Sequence, residues 1–461
     1  MVGKILIPEI EGMIAARNFA ALRELFSEMA PADVAEIILD LPEDEQVIIF
    51  RILPHALAAD VFEYLDVDVE AQQKLLRGMA HEQVVSILNE MSPDDRTAFL
   101  EELPSAAARQ LIRLLTPDER RIAQALLGYP EGSVGRLMTP DLISVGADWT
   151  VREVLDYVRE HGQDSETINV IYVVDDRGKL LDDVRIREFL LKPLDTKVSD
   201  LMDENVTALN VNASQEEAVN VFRKYDRSAL PVVDSSGVLV GIVTTDDMLD
   251  VAEEEATEDI QKFGGMEAME EQYMRIPLSR MVRKRASWLV ILFVGEMLTA
   301  SAMGYYEGAI AKAVVLALFL PMIISSGGNS GSQASMLIIR AMALGELTLR
   351  DWWRVMRKEV VAGLMLGCVL GVIGFMRVAV WAQFSNIYGP HWLLIAFTVG
   401  IALVGVVLWG SLSGSILPFI LRGLGADPAT SSAPFVATLV DVTGLVIYFS
   451  IALLILRGSM L

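Results

Sequence analysis

The 461-residue chain carries 62 acidic and 38 basic side chains, which gives a formal net charge of -24. An acidic surface disfavours a nucleic-acid partner, because binding to phosphates requires Lys and Arg. The single cysteine, Cys368, excludes an internal disulfide, and the four histidines are too far apart in sequence to indicate a zinc or copper site. The sequence contains no nucleophile with a base and no phosphate loop, so we do not predict an enzyme.

The charge is divided unevenly along the chain. Residues 1–270 contain 54 acidic and 24 basic side chains, whereas residues 271–461 contain 8 and 14. Only the second part has repeated apolar runs of about 20 residues, the length that crosses a bilayer. The start of the chain lacks a basic segment followed by an apolar one, so we expect no cleaved signal. The sequence therefore predicts an acidic cytoplasmic part followed by a membrane domain.

Residues 1–130 have the pattern of short helices. Units such as LPEDEQVIIFRILP and MSPDDRTAFLEELP begin with Pro and acids, as helix starts prefer. Their apolar residues recur at spacings of three and four, so each helix has one buried face. We predict an all-α superhelical module, in which acids such as Asp94 form a solvated face in the simplest interpretation.

From Leu137 the pattern changes to alternating strands and helices and occurs twice. The segment Val173-Val174-Asp175 with Gly178 returns as Val232-Val233-Asp234 with Gly237. The second copy, ALPVVDSSGVLVGIVTTDDML, reads as two strands around a turn leading into a helix. This repeat resembles a CBS domain pair, which implies a regulatory α/β module of a kind that often binds nucleotides.

An acidic run follows the repeat. It places eight acids and no base between Asp246 and Asp259. On one helix, Asp250 and Glu254, or Glu255 and Asp259, are like charges one turn apart, and each pair costs roughly 0.2–0.5 kcal/mol. Bound divalent cations would relieve this repulsion. The alternative interpretation is a solvated acidic linker.

Five apolar segments predict five membrane-spanning helices. We place them at about residues 286–306, 310–343, 360–382, 392–421 and 428–456. With the N-terminus inside, the basic clusters at 280–285 and 340–358 and Arg422 fall on the cytoplasmic side. An odd number of spans places Leu461 outside.

The second span contains a polar stretch, SSGGNSGS, from Ser325 to Ser332. A polar interruption at membrane depth is tolerated where it is buried in protein or lines a watery cavity. We therefore expect a broken helix beside a pore, with Gly328 and Asn329 offering backbone and amide oxygens.

The last span holds one charged residue, Asp441. Intramembrane acids usually face a water-filled path, so Asp441 is a candidate functional residue, although a purely structural Asp is the alternative. Pro434 and Ala437 lie on the same helical face, and Pro434 is expected to free the carbonyl of Thr430. Oxygen atoms alone suit a hard cation.

The SSGGNSGSQ stretch, the PFVATLVDVTGLVIYF stretch, the CBS pair and the acidic helical module occur here in one order. In this order the chain resembles MgtE-type magnesium channels. The resemblance implies a homodimer in membrane lipid, with the pore on the two-fold axis and Asp441 in the filter. The implied domains are an acidic helical domain, two CBS domains, a connecting plug helix and a five-helix membrane domain. They span residues 1–130, 131–200, 201–252, 253–282 and 283–461.

The resemblance also implies closure of the pore when cytosolic Mg2+ bridges the acidic and CBS domains. Acids that match by motif are Glu216, Asp226, Asp247, Asp250, Glu255, Glu258 and Asp259, with Asp94 as the candidate in the first domain. Three positions depart from the family pattern. Ala433 stands where an Asn can occur, Ser214 where an acid can occur, and Arg227 where an aromatic stacks on a nucleotide, which weakens the expectation of ATP as a ligand.

Three functions remain open at this point. The first is a Mg2+ channel that closes when its cytosolic domains bind Mg2+, for which Mg2+ is both the transported and the regulatory ion. The second is a divalent-cation transporter coupled to H+ or Na+, although Glu296, Glu359 and Asp441 give few candidates for proton relay. The third is a non-transporting membrane protein that senses a nucleotide.

Overall fold

The computed structural model describes residues 3–65, 72, 75–76, 78–79, 81–203, 205–269, 273 and 276–457. The predicted external position of Leu461 falls outside these residues. The chain forms two compact units, one ending at Glu253 and the other beginning at Glu254. Each unit has its own hydrophobic core.

The first unit begins with short helices that match the all-α prediction. The described helices are α1 (Gly3–Ala15), α2 (Phe19–Ser27), α3 (Pro31–Asp40), α4 (Glu43–Ile52), α5 (His55–Glu63), α6 (His81–Glu90), α7 (Pro93–Glu102), α8 (Ser105–Ile112) and α9 (Pro117–Leu126). Pro occupies the first turn of α3, α7 and α9, where its missing N–H costs no helical hydrogen bond. Phe62 packs edge-on against both Phe50 and Phe99, so the helices share one core.

The predicted repeat forms two small sheets of equal topology. The elements of the first copy are α10 (Val134–Leu137), β1 (Ser144–Gly146), α11 (Val151–His161), β2 (Val170–Val174), β3 (Leu180–Arg185) and α12 (Ile186–Leu191). The second copy has β4 (Leu209–Asn210), α13 (Gln215–Tyr225), β5 (Ala229–Val233) and β6 (Leu239–Thr244). In each sheet the central strand pairs in parallel with the first strand and antiparallel with the third.

The repeated Gly residues explain the turns of these sheets. Gly178 and Gly237 have φ values of 76° and 81°, a region that side chains with a Cβ avoid. Both sheets also shift register at the matching positions, Val173/Val174 and Val232/Val233. The internal repeat predicted from sequence is therefore a structural repeat.

The acidic run is helical. It lies in α14 (Thr245–Phe263), which begins directly after β6 and runs without interruption through the predicted domain boundary at residues 252–253.

Five helical segments among the described residues are long and apolar enough to span a membrane. They are centred on α15 (Leu278–Tyr305), α17 (Leu320–Ala343), α18 (Trp352–Phe384), α19 (Trp392–Gly423) and α20 (Ala433–Leu456), and the short α16 (Glu307–Lys312) follows α15. The fold class predicted from sequence is thus confirmed: a helical N-terminal module, an α/β pair, and a helical membrane region with five candidate spans.

The prediction of a broken second span was wrong. Residues Ser325 to Ser332 lie inside the continuous helix α17. The small residues there serve close helix packing instead: a Cβ added to Gly410 would lie 2.2 Å from the carbonyl oxygen of Gly327, and one added to Gly414 would lie 2.0 Å from that of Gly331. Small side chains let helix backbones approach within a membrane, so a Gly- and Ser-rich segment can remain helical.

Candidate functional site

The membrane site is built where α17 and α15 meet α20. A Cβ added to Gly328 would lie 3.5 Å from the Cβ of Ala437, so these two predicted pore residues face each other. Asp441, one turn beyond Ala437, is partly exposed. Its carboxyl group lies close to that of Glu296 of α15.

Hydroxyl groups hold α17 against its neighbours. Ser330 and Ser411 are linked by a hydrogen bond of 2.7 Å between their Oγ atoms. Ser335 donates to the carbonyl of Ser431 at 3.1 Å, and Ser332 donates to that of Ala433 at 3.2 Å. These bonds satisfy polar groups that lipid could not, and they fix α17 against α19 and the start of α20.

The outer face of α17 remains polar. Ser325, Asn329 and Gln333 recur every four residues and are exposed. The predicted pore residue Asn329 therefore lies on an uncovered polar stripe within a membrane span, and not in a break of the helix.

Pro434 has a different role from the one expected. It occupies the first turn of α20, which begins at Ala433, and Thr430 belongs to a preceding 3-10 turn, Pro428–Thr430. Because backbone N–H groups of the first turn have no helical partner, Pro434 frees no carbonyl in the preceding residues. That prediction was wrong.

The second site is a cluster of acids in the first unit, which ends at Glu253 and is named the cytosolic unit. Asp94 at the start of α7 is buried. Its pKa lies well above the ordinary value, mainly because of burial and secondly because of the charges of Asp247 and Asp95. Burial also raises the pKa of Asp247 to about 6, although Thr244 Oγ1 donates a 2.5 Å hydrogen bond to its carboxylate. Asp94 and Asp247 come from different predicted domains, and the structure places them together.

Glu166 belongs to the same cluster and was not predicted. Burial raises its pKa to about 7, with further contributions from Asp247 and Asp246. Its position in a loop of the first CBS copy gave no sequence signal. Within the described part of the chain, no three acids approach closely enough to hold a metal ion as they stand, as expected for like charges that repel each other.

The remaining predicted acids are spread over α13 and α14. Glu216 is in the first turn of α13 and Asp226 caps its other end, with a left-handed φ of 49°. Asp250, Glu255, Glu258 and Asp259 all lie on α14. The repulsion among the acids of α14 that the sequence predicts is partly relieved, because Lys262 Nζ lies 2.5 Å from the carboxylate of Glu258.

A cavity of about 380 Å3 opens in the CBS pair beside Asp226. Its lining residues are Asn169, Val170, Arg185, Ile186, Arg187, Asp226, Arg227 and Ser228. Arg227 donates to Asp183 at 2.8 Å, so the residue that departs from the family pattern is already in an ion pair. The three arginines make this cavity suited to an anion.

Comparisons with known proteins agree with this architecture. Family models described as "MgtE intracellular N domain", "CBS domain" and "Divalent cation transporter" match residues 29–132, 134–193 with 198–254, and 320–451. The magnesium transporter MgtE of Thermus thermophilus is 39% identical over 95% of this chain and 96% of its own length. That of Bacillus subtilis is 30% identical over 93% of each.

Two solved structures resemble the cytosolic unit. The cytosolic domain of the Mg2+ channel MgtE in complex with ATP covers 53% of this chain and 100% of its own, with 34% identity and a TM-score of 0.51. The soluble part of a magnesium transporter covers 55% of this chain and 99% of its own, with 27% identity and a TM-score of 0.53. Together with the identity over nearly the whole length, these matches confirm the resemblance seen in the sequence: the chain belongs to the MgtE family of divalent cation transporters.

Proposed function

We propose that this protein transports Mg2+ across the cytoplasmic membrane as an ion channel. The observation that carries the proposal is Asp441: the one acid of α20, partly exposed, beside the contact between Ala437 and Gly328. Relatives named magnesium transporters align over more than nine tenths of the chain. Mg2+ loses its water reluctantly, so a carboxylate that contacts its hydration shell is a suitable filter.

The pore forms between two copies of the chain. The exposed stripe Ser325, Asn329 and Gln333 supports this arrangement, because polar side chains in a span require water or a protein partner. In a homodimer the two stripes and the two Asp441 side chains line one path on the two-fold axis. Each copy has the five domains expected from sequence, with the boundaries given above.

The cytosolic unit faces the cytoplasm, and the C-terminus lies on the other side. Basic residues support this orientation, since they cluster at the start of α15 and around the connection between the end of α17 and the start of α18, as the positive-inside rule requires. Five spans then place the two ends of the membrane domain on opposite sides.

Cytosolic Mg2+ closes the channel by binding among the acids. The burial of Asp94 beside Asp247 supports this mechanism, because a cation bound there would offset both the desolvation and the repulsion of the two carboxylates. Glu216, Asp226, Asp250, Glu255, Glu258 and Asp259 complete the proposed regulatory set. Closure then requires only that the closed arrangement binds Mg2+ more tightly than the open one.

ATP is a second proposed ligand of the cytosolic unit. The arginine-lined cavity beside Asp226 supports an anionic ligand, and a structural relative was solved with ATP. Arg227 stands in place of the aromatic ring, and its ion pair with Asp183 has to open or rearrange before its guanidinium group can stack on a base.

Flux into liposomes tests the proposed function. Protein with Asp441 or with Asp441→Asn is reconstituted, internal Mg2+ is varied, and no counter-ion gradient is imposed. Flux that requires Asp441 and stops as cytosolic-side Mg2+ rises supports the channel. Flux that appears only with an H+ or Na+ gradient would support the coupled transporter, and absence of flux under all conditions would support the non-transporting sensor.

A further inference from the structure

The face of α15 that packs against α20 carries a second acid. Trp288 donates to Ser432 Oγ at 3.1 Å, and a Cβ added to Gly295 would lie 2.6 Å from Thr438 Cγ2. These contacts fix the two helices in register. Glu296, the next residue, is thereby placed close to Asp441.

Among the side chains that the structure describes, the helices next to this pair offer no base near the two acids. The charged residue of α17 is Arg340 and that of α19 is Arg422, and each lies in the last turn of its helix. On α15 itself the nearest base is Arg285, eleven residues or about 16 Å along the axis from Glu296. Apart from Asp441, α20 carries no charge between Ala433 and Leu456.

A third oxygen lies on the same face of α15. Thr299 is three residues beyond Glu296, and its hydroxyl oxygen is buried without a hydrogen-bond partner among the described residues. A buried polar atom that lacks a partner requires an explanation, which a bound water or hydrated ion supplies. Two carboxylates and a hydroxyl are the donor set of a hard cation.

We infer that Glu296 is a second carboxylate of the cation path, so that each subunit presents Asp441 and Glu296 together to the passing ion. This inference rests on the proposed channel function and extends it. In a dimer the path then carries four acids, and the added negative field favours divalent over monovalent cations. Glu296 is thus a specificity-determining residue that acts through its charge.

The decisive variant is Glu296→Gln, which keeps the shape and the capacity for a hydrogen bond but removes the charge. We expect it to raise the Mg2+ concentration for half-maximal flux by about tenfold, equivalent to ~1.4 kcal/mol. The reversal potential should also show a weaker preference for Mg2+ over K+. Glu307→Gln, which alters an exposed acid of the same unit, is the matched control and should leave both quantities unchanged.

Two further measurements keep the result interpretable. Glu296→Asp retains the charge and should stay close to the natural protein; equal impairment in the Asp and Gln variants would show a packing role and overturn the inference. Carbodiimide labelling of Glu296, followed by mass spectrometry, should slow when Mg2+ is added, and labelling that is indifferent to Mg2+ would also contradict it.

The inference and the channel function fail differently. If the natural protein shows no Mg2+ flux, both are wrong. If flux requires Asp441 while Glu296→Gln matches the natural protein in affinity and selectivity, the channel function stands and only the role of Glu296 is rejected.

Discussion

The carboxyl group of Asp94 is buried beside that of Asp247. One belongs to the N-terminal helices and the other to the start of α14, so a charge conflict connects the two parts of the cytosolic unit. Replacing Asp94 by Asn keeps the size and polarity of the side chain and removes that conflict. We expect the Mg2+-free protein to become more stable, because burial and the charge of Asp247 raise the pKa of the Asp94 carboxyl group in the folded state.

The same variant should reduce the effect of Mg2+. Proteolysis within α14 is expected to slow in Mg2+ at about millimolar concentration, the range of weak carboxylate sites, and Asp94→Asn should lose most of this protection. Asp118→Asn changes an exposed acid of α9 and serves as the control. Equal protection of the two variants would argue against Asp94 as a regulatory ligand.

The acids of α14 are predicted to act together in closing the channel. Neutralising Asp247, Asp250, Glu255 and Glu258 to their amides should leave Mg2+ flux that continues at high cytosolic-side Mg2+. Neutralising the exposed Asp118, Asp156, Glu160 and Asp200 is the control with the same charge change. Normal closure in the first variant would exclude the assigned role of these acids.

Glu63 predicts a pH dependence in the N-terminal helices. Burial raises the pKa of Glu63 from its ordinary 4.5 to about 7, although it accepts a 2.9 Å hydrogen bond from the Ser92 amide. The folded state therefore holds a proton that the unfolded state releases at lower pH. The free energy of unfolding should fall as pH rises from about 4.5 to 7 and should lose no more above that range.

Glu63→Gln removes this loss of stability at higher pH because the amide does not ionise, and its oxygen can still accept the hydrogen bond from the Ser92 amide. At pH 8 we expect the variant to be more stable by about 3 kcal/mol at most, taking 1.36 kcal/mol per pKa unit, and the difference should vanish near pH 4. Hydrogen exchange of the α5 amides in the full chain measures it. A gain that is the same at both pH values would show that the ionisation of Glu63 is not its cause.

Gly410 tests the close contact of α19 with α17. Its substitution by Ala brings a Cβ to 2.2 Å from the Gly327 carbonyl oxygen, so the helices must separate. We expect a loss of stability of about 3 kcal/mol, at the upper end of overpacking costs, seen as earlier unfolding in denaturing detergent. Gly304→Ala is the control, because a Cβ added at Gly304 would have no heavy atom within 4 Å. This variant should unfold as the natural protein does or slightly later.

Within the second unit, Lys262 near the end of α14 forms an ion pair with Asp427, at 2.7 Å. Asp427→Asn removes the ion pair but can retain the cap to the Ala429 amide. Because the pair is partly exposed, we expect only a two- to fivefold faster hydrogen exchange at the end of α14, or ~0.5–1 kcal/mol. Unchanged exchange would show that the pair contributes nothing to the stability of this helix end, and Glu307→Gln again controls for loss of an acid.

Local properties of the sequence determined the division of the molecule and its elements. Three local patterns carried this information: the acidic excess before residue 270, the apolar runs after it, and the repeated strand–turn–strand segments. The structure contains the five candidate spans and the two small sheets that the last two patterns predict. The positions of Asp441 and of the acidic helix followed from the same local patterns. The matching register shifts of the two sheets show that even details of the repeat are encoded locally.

The tertiary structure decided which distant groups meet. Considered alone, Ser325 to Ser332 indicates a broken helix, but the segment stays helical because α19 and α20 approach its glycines closely and supply partners for its hydroxyls. The proximity of Glu296 to Asp441 and of Asp94 to Asp247 likewise depends on how the helices are rotated and packed. Packing of this kind is a sum over many residues far apart in the chain, so no single stretch of sequence contains it.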